Sequence, residues 1–184
     1  MSEVRIVAGQ YRGRRIEVPS VGVRPTADRV KEAWMSIIHS RIPDARCLDL
    51  CSGSGALGLE LLSRGAEHCD FVEQDAATFK ILQANVATLG ATDRATLHKS
   101  SAEKFISSLT SQVSGPPFDL ALADPPYSKG IAESLAQLWL QAPFATIFCI
   151  EHEASLTLPD APPSAVTDRR RYGETALTIY RVTT

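Results

Sequence analysis

Cys47-Leu48-Asp49-Leu50-Cys51-Ser52-Gly53-Ser54-Gly55-Ala56-Leu57-Gly58 runs from a short apolar stretch through a Gly/Ser loop into an apolar segment. Its second half fits G-x-G-x-x-G, placed after a strand and opening a helix. Glycines at these spacings let backbone approach a ligand and let the helix lie close to the strand. The stretch predicts the first strand and helix of an α/β unit, with a binding crevice at the strand's carboxyl end.

Working outward, strands and helices alternate, as in a parallel sheet with helices on both faces. After the strand over 47–50 and a helix over 56–64 come a strand over 69–73 and a helix over 75–89 ending at Gly90. A strand over 95–98 and a helix over 102–109 follow. Next are a strand over 118–123, a helix over 131–141 and a strand over 146–150. Segments 165–172 and 175–182, joined at Gly173-Glu174, read as a terminal antiparallel hairpin. Upstream, 3–8 and 13–18 read as a small hairpin turning at Gly9-Gln10-Tyr11-Arg12. Thr26 is placed to cap a helix whose apolar stripe is Val30, Ala33, Trp34, Ile37 and Ile38. The expected class is α/β: a Rossmann-like, mostly parallel sheet with a C-terminal antiparallel hairpin. Residues 1–43 form a hairpin-and-helix extension, and 44–184 the main domain.

At 184 residues, 44% hydrophobic and 22% charged, the chain is an ordinary globular domain. No apolar run approaches the roughly 20 residues of a membrane span, and Met1-Ser2-Glu3-Val4-Arg5 lacks a signal-peptide core. A cytoplasmic monomer with no membrane partner is expected. Cys47, Cys51, Cys69 and Cys149 form no C-x-x-C pair and share no His spacing, so no metal is expected. His39, His68, His98 and His152 share no spacing either and read as surface or structural residues. Residues 1–46 hold nine Lys/Arg against five Asp/Glu, and the remainder ten against sixteen. A basic arm on an acidic body suits an anionic partner. Arg12, Arg14 and Arg15, with Tyr11 interleaved, are the arm's densest cluster and the candidate phosphate contacts. Arg169-Arg170-Arg171 reads as a solvated strand edge.

Glu73 follows Gly53 by 20 residues at the end of the second strand, where an acid can bind ribose hydroxyls. A nicotinamide dinucleotide and S-adenosylmethionine (SAM) both contain adenosine and both suit this loop. Asp49 separates them. A pyrophosphate uses the helix N-terminus and has no use for an acid on the strand, whereas a sulfonium and an ammonium do. Ser100-Ser101-Ala102, at the end of the third strand, is positioned for an adenine edge and also reads as a helix cap. Asp124-Pro125-Pro126-Tyr127 follows the strand over 118–123, and its two prolines end the ladder there. Asp124 and the Pro125 carbonyl can accept both N–H groups of an exocyclic amine, aiming the nitrogen lone pair at a methyl group. Tyr127 can stack on the base, a contact worth roughly 1–3 kcal/mol.

Together these features resemble a class I SAM-dependent methyltransferase acting on an amino nitrogen. Three blocks, Arg5-Ile6-Val7-Ala8-Gly9-Gln10-Tyr11-Arg12-Gly13-Arg14, Arg24-Pro25-Thr26-Ala27-Asp28-Arg29-Val30-Lys31-Glu32 and Gly53-Ser54-Gly55-Ala56-Leu57-Gly58-Leu59-Glu60, resemble the bacterial RsmD family. The closing Tyr172-Gly173-Glu174-Thr175 does so too. The resemblance spans Arg5 to Tyr180, with Met35-Ser36 standing where the family commonly has Phe-Asn, and Cys51 where it has an aromatic or small residue. It implies methylation of N2 of one guanine in 16S rRNA, free or within an assembling small ribosomal subunit. It also implies that Asp49, Ser52, Gly53, Ser54, Gly55, Glu73 and Ala102 hold SAM beside Asp124. Asp124, Pro125 and Tyr127 would act on the amine, and Thr26 would lie near the methionine end. The cluster of Tyr11, Arg12, Arg14 and Arg15 would contact RNA. Adenine N6 in DNA and a glutamine amide in a protein suit the same tetrad. From other classes, a dinucleotide-dependent dehydrogenase and a non-catalytic RNA-binding module remain as alternatives.

Overall fold

The computed structural model describes residues 2–19, 25–109, 116–127 and 130–183, excluding the side chains of residues 25–29. Seven strands form one sheet: β3 (Arg46–Leu50), β4 (His68–Val72), β5 (Ala95–His98), β6 (Phe118–Ala123), β7 (Ala145–Glu153), β8 (Ala165–Tyr172) and β9 (Thr175–Val182). Their order is β5-β4-β3-β6-β7-β9-β8, parallel up to β7 and antiparallel for the last two. β9 inserts between β7 and β8, so the terminal hairpin extends the sheet through its second strand. The predicted class is the one observed. Strand order reverses between β3 and β6, which opens a crevice at their carboxyl ends.

Side chains alternate across the strands and divide the core in two. Cys47 of β3, Leu120 and Leu122 of β6, Ile147 and Cys149 of β7, and Leu177 and Ile179 of β9 face one layer. That layer comprises α1 (Pro25–Ile38), α2 (Ala56–Ser63) and α3 (Ala76–Leu89). Leu48, Leu50, Ala121, Ala123, Phe148 and Ile150 face α4 (Ala102–Leu109) and α5 (Ile131–Gln141) on the other side. The same parity puts Asp49, two residues beyond Cys47, and Glu151, two beyond Cys149, on the α1–α2–α3 face. Cys47, Cys69 and Cys149 are buried and free, as small hydrophobes.

Element ends moved by a few residues. α1 begins at Pro25, one residue before the expected Thr26 cap; a fixed φ and no N–H suit a first helical position. Thr26's side chain lies outside the described residues. α3 is capped by Asp75, whose carboxylate accepts from Thr78 N at 2.8 Å, and ends at Gly90 with φ 67°. β7 runs to Glu153, three residues past the expected end, because β9 pairs with it as far as Thr175.

The N-terminal hairpin differs most from expectation. β1 (Ser2–Arg5) and β2 (Arg15–Val18) pair Ser2 with Val18, and a long loop joins them. Ile6, Tyr11 and Ile16 belong to the α1–α2–α3 core. Residues Gly58 to Ser63 of α2 are all buried, because the sheet covers one side of the helix and this hairpin the other. Gly9 lies so near the end of α2 that a Cβ there would stand 1.8 Å from the Ser63 carbonyl oxygen. Gln10 N donates to that oxygen at 2.7 Å, and Tyr11 N donates to Ser63 Oγ at 2.9 Å. Among the described residues no helix is long and apolar enough to cross a membrane.

Candidate active site

The loop after β3 turns on three left-handed residues, Cys51 (φ 56°), Gly53 (φ 55°) and Gly55 (φ 85°). Cys51 carries a Cβ in this region, a conformation that costs about 1–3 kcal/mol and gathers at functional loops. Ser52 anchors the loop: its N–H and its hydroxyl both donate to the Val72 carbonyl, at 3.0 and 3.3 Å. A Cβ on Gly53 would meet nothing within 4 Å, so open space lies above it. On Gly55 it would stand 2.6 Å from Leu82 Cδ1, and on Gly58 2.3 Å from Phe71 Cε1. The first glycine therefore leaves room, and the other two allow α2 to pack closely.

Asp49 is 1% exposed, and its Oδ2 accepts from Gly58 N at 2.9 Å. Glu73 braces the loop from β4's end, accepting from Gly53 N at 2.9 Å and Asp75 N at 2.7 Å. Each of its oxygens keeps a second lone pair for a ligand hydroxyl.

A cavity of ≈ 700 Å³ lies over this loop. Its wall brings together Asp49, Ser52, Gly53, Ser54 and Asp124 from the predicted set. Glu73, Gly55, Ala102, Pro125 and Tyr127 stand outside that wall. Ala102 is a buried first residue of α4, and Ser101 Oγ accepts from Lys104 N at 3.2 Å in the capping sense. The wall also includes Arg5, Lys31, Trp34, Glu60, Arg64 and Glu151, which sequence reasoning missed. Trp34 is 1% exposed and its indole N–H has no acceptor among the described residues, leaving a buried donor beside the cavity.

Three carboxyls dominate the electrostatics. Burial raises Asp49 to about 7 against the opposing Gly58 N–H bond, with Asp124 and Glu73 adding to the rise. Burial raises Asp124 to about 6. The residue keeps an exposed surface where it lines the cavity, so solvent screens its charge more than that of the fully buried Asp49. Glu151 rises to about 7, first through burial and then through Asp124, with the Tyr127 bond opposing. A ligand bearing positive charge relieves this crowding, and a pyrophosphate would aggravate it.

Tyr127 is 37% exposed, its ring available at the end of β6. Its hydroxyl lies 2.8 Å from Glu151 Oε1 and 2.9 Å from Thr175 Oγ1. With one proton on each hydroxyl, Thr175 donates to Tyr127 and Tyr127 donates to Glu151. Thr175, closing the Tyr172-Gly173-Glu174-Thr175 block, thus holds the tetrad from β9.

Among the predicted RNA contacts, Tyr11 needs correction, and Arg14 and Arg15 have partners within the chain. Tyr11 is 5% exposed, packs in the core, and its hydroxyl accepts from Arg94 Nη2 at 3.0 Å, so its ring cannot stack on a base. Arg14 donates to the Leu89 carbonyl at 3.2 Å and to that of Thr88, closing the carboxyl end of α3. Arg15 pairs with Glu3 across the hairpin at 3.0 Å. Arg12 is the one member of the cluster exposed and without a partner among the described residues.

Residues 4–181 match the family model described as Conserved hypothetical protein 95. The chain is 38% identical over 186 residues to ribosomal RNA small subunit methyltransferase D of Escherichia coli K12, covering 97% of this chain and 90% of that one. Among solved structures, a hypothetical protein of Thermus thermophilus superposes with TM-score 0.81 at 32% identity, covering 97% of this chain and 99% of that one. The T. thermophilus 16S rRNA N2 G1207 methyltransferase, solved with AdoMet and guanosine, shares the fold at TM-score 0.73 and 18% identity, covering 99% of this chain and 50% of that one.

Proposed function

The chain belongs to the Conserved hypothetical protein 95 (RsmD) family of methyltransferases, and we propose that it methylates the exocyclic N2 amine of a guanine in 16S rRNA with SAM as methyl donor. The observation that carries this reading is the convergence of Asp49, Asp124 and Glu151 on one cavity beside a glycine loop. The residues suit SAM. Asp49 meets its cationic groups, open space over Gly53 admits it, and the orphaned Trp34 N–H offers a donor to its carboxylate. When bound, SAM supplies an electrophilic methyl group on a sulfonium.

The chain's own residues do the rest. Asp49 and the 51–55 loop hold the cofactor, and Glu73 offers its free lone pairs to the ribose. Asp124 and the Pro125 carbonyl accept the two N–H bonds of the amine and aim its lone pair. Asp124 also stabilises the positive charge that grows on nitrogen and, with its raised proton affinity, can receive the proton that leaves. Tyr127 stacks on a base drawn out of its own stack. Alignment of this kind supplies roughly 7–11 kcal/mol of barrier lowering.

The same reading makes the protein a cytoplasmic monomer acting on free rRNA or on an assembling subunit. Residues 1–43 serve as an extension whose exposed Arg5 and Arg12 meet phosphate. Asp124→Ala is expected to keep SAM affinity in calorimetry and to slow methyl transfer about 100- to 1,000-fold, the effect of losing one charge-stabilising group. Full turnover by that variant refutes the role given to the tetrad. Binding of NADH but not SAM would instead establish a dehydrogenase.

A further inference from the structure

We infer that Glu151 is a specificity-determining residue that reads the N1–H of the target guanine, so that its carboxylate on β7, beside Asp124, selects guanine N2 over adenine N6. The inference rests on the methyltransferase reading and deepens it, because the D-P-P-Y tetrad by itself suits either amine.

Glu151 shares a sheet face with Asp49 and lines the same cavity wall as Asp124. Its Oε1 accepts from the Tyr127 hydroxyl at 2.8 Å, which fixes the carboxylate against the ring that would stack on the base. Its second oxygen has no hydrogen-bond partner among the described residues, on a side chain largely surrounded by protein. A carboxylate so placed is an acceptor without a donor. Guanine supplies one: beside its N2 amine stands N1–H, so the two neighbouring positions both offer donors. Adenine carries a bare N1 lone pair beside its N6 amine, and a carboxylate facing that lone pair is repelled. Asp124 and Pro125 would take the amine protons of either base, and Glu151 would tell the bases apart.

The test uses 16S rRNA built with either guanine or 2-aminopurine at the methylated position, offered free and in reconstituted small subunits with SAM. 2-Aminopurine keeps the N2 amine but has no proton on N1. The wild-type chain is expected to favour guanine by about 10- to 100-fold in kcat/KM, the worth of one hydrogen bond to a charged group. In Glu151→Gln the amide oxygen keeps the Tyr127 bond and turns its NH2 towards N1. That variant should therefore lose about 10- to 100-fold on guanine while 2-aminopurine is spared or improved. Tyr127→Phe, which frees Glu151 without removing it, should slow both substrates and keep the preference for guanine. SAM affinity measured on each variant shows that it is folded; where Glu151→Gln fails to fold, the wild-type ratio alone decides. A wild type active on guanine yet indifferent to 2-aminopurine overturns the role of Glu151, as does an equal loss on both substrates in Glu151→Gln. No transfer to guanine in either form overturns the methyltransferase reading itself.

Discussion

A Cβ on Gly58 would stand 2.3 Å from Phe71 Cε1, 2.8 Å from Cζ and 2.9 Å from Asp49 Oδ2, and the Phe71 ring has no room to retreat because it is fully buried. Two effects of Gly58→Ala oppose each other. Helix propensity favours alanine by about 1 kcal/mol, while overpacking a filled core costs about 1–3 kcal/mol. The clash should win, since α2 must shift off β4 and weaken the Gly58–Asp49 bond. Gly58→Ala is expected to lower the urea midpoint with an unchanged slope and to weaken SAM binding in calorimetry. A midpoint at or above wild type would mean that propensity decides and that the close approach is not needed. Other residues divide into those a linear reading could and could not find. Asp49 and Asp124 were legible because each sits at the end of a strand beside turn residues of unmistakable chemistry. Glu151 was not, since no turn residue marks it as Pro125 and Pro126 mark Asp124, and it acquires its meaning from Tyr127, 24 residues earlier, and from Thr175, 24 later.

At the scale of elements, the sequence reads the N-terminal hairpin, the sheet and its helices to within a few residues and misplaces only what the hairpin's Tyr11 and Arg14 touch. Period and punctuation mark a strand or helix locally, but the partner of a hairpin face is set by tertiary packing. Arg14 and Tyr11 look like an RNA-binding pair until α3 and the core claim them. A signal was present in α2, Ala56–Ser63, which is apolar nearly all round apart from Glu60. Such a helix needs cover on both sides, and its lone carboxylate must be paired. Glu60 is 0% exposed and accepts from Val7 N at 2.9 Å, Ala8 N at 3.1 Å and Arg64 Nε at 2.8 Å, with Lys31 Nζ at 3.6 Å. Glu60→Ala leaves two backbone donors and a guanidinium without their acceptor. Breaking a buried charged arrangement of this kind costs about 3–5 kcal/mol. The variant should lose about that much stability in denaturant and, in hydrogen exchange, lose protection at Val7 and Ala8 before the sheet opens. Retained protection at those two amides would show that packing of Ile6 and Tyr11 alone holds the hairpin.

Across the whole molecule, strand parity explains why the site strains the fold. Asp49 and Glu151 reach the cavity from one sheet face, Asp124 joins them from the end of β6, and burial disfavours the charge on each. All three carboxyls hold a proton more tightly in the folded chain than in the unfolded one, where the values are 3.8 for Asp and 4.5 for Glu. The stability they contribute is therefore fully present below about pH 4. It is lost as pH rises through the folded values of about 6 and about 7. His152, whose pKa is lowered by burial, works in the opposite direction over part of that range. Asp75, lowered by its Thr78 bonds, acts only at more acidic pH. The decisive quantity is thus the difference between two chains. Asp124→Asn combined with Glu151→Gln should melt above wild type at pH 7.5, by about 2–4 °C for each kcal/mol relieved. The two melting curves should converge near pH 4.5, where the wild-type carboxyls are protonated as well. Saturating SAM should raise the wild-type Tm more at pH 7.5 than at pH 5, because its cationic groups meet ionised partners only at the higher pH. A gap between the chains that does not change with pH would attribute the gain to packing and remove the carboxylate cluster as a source of strain.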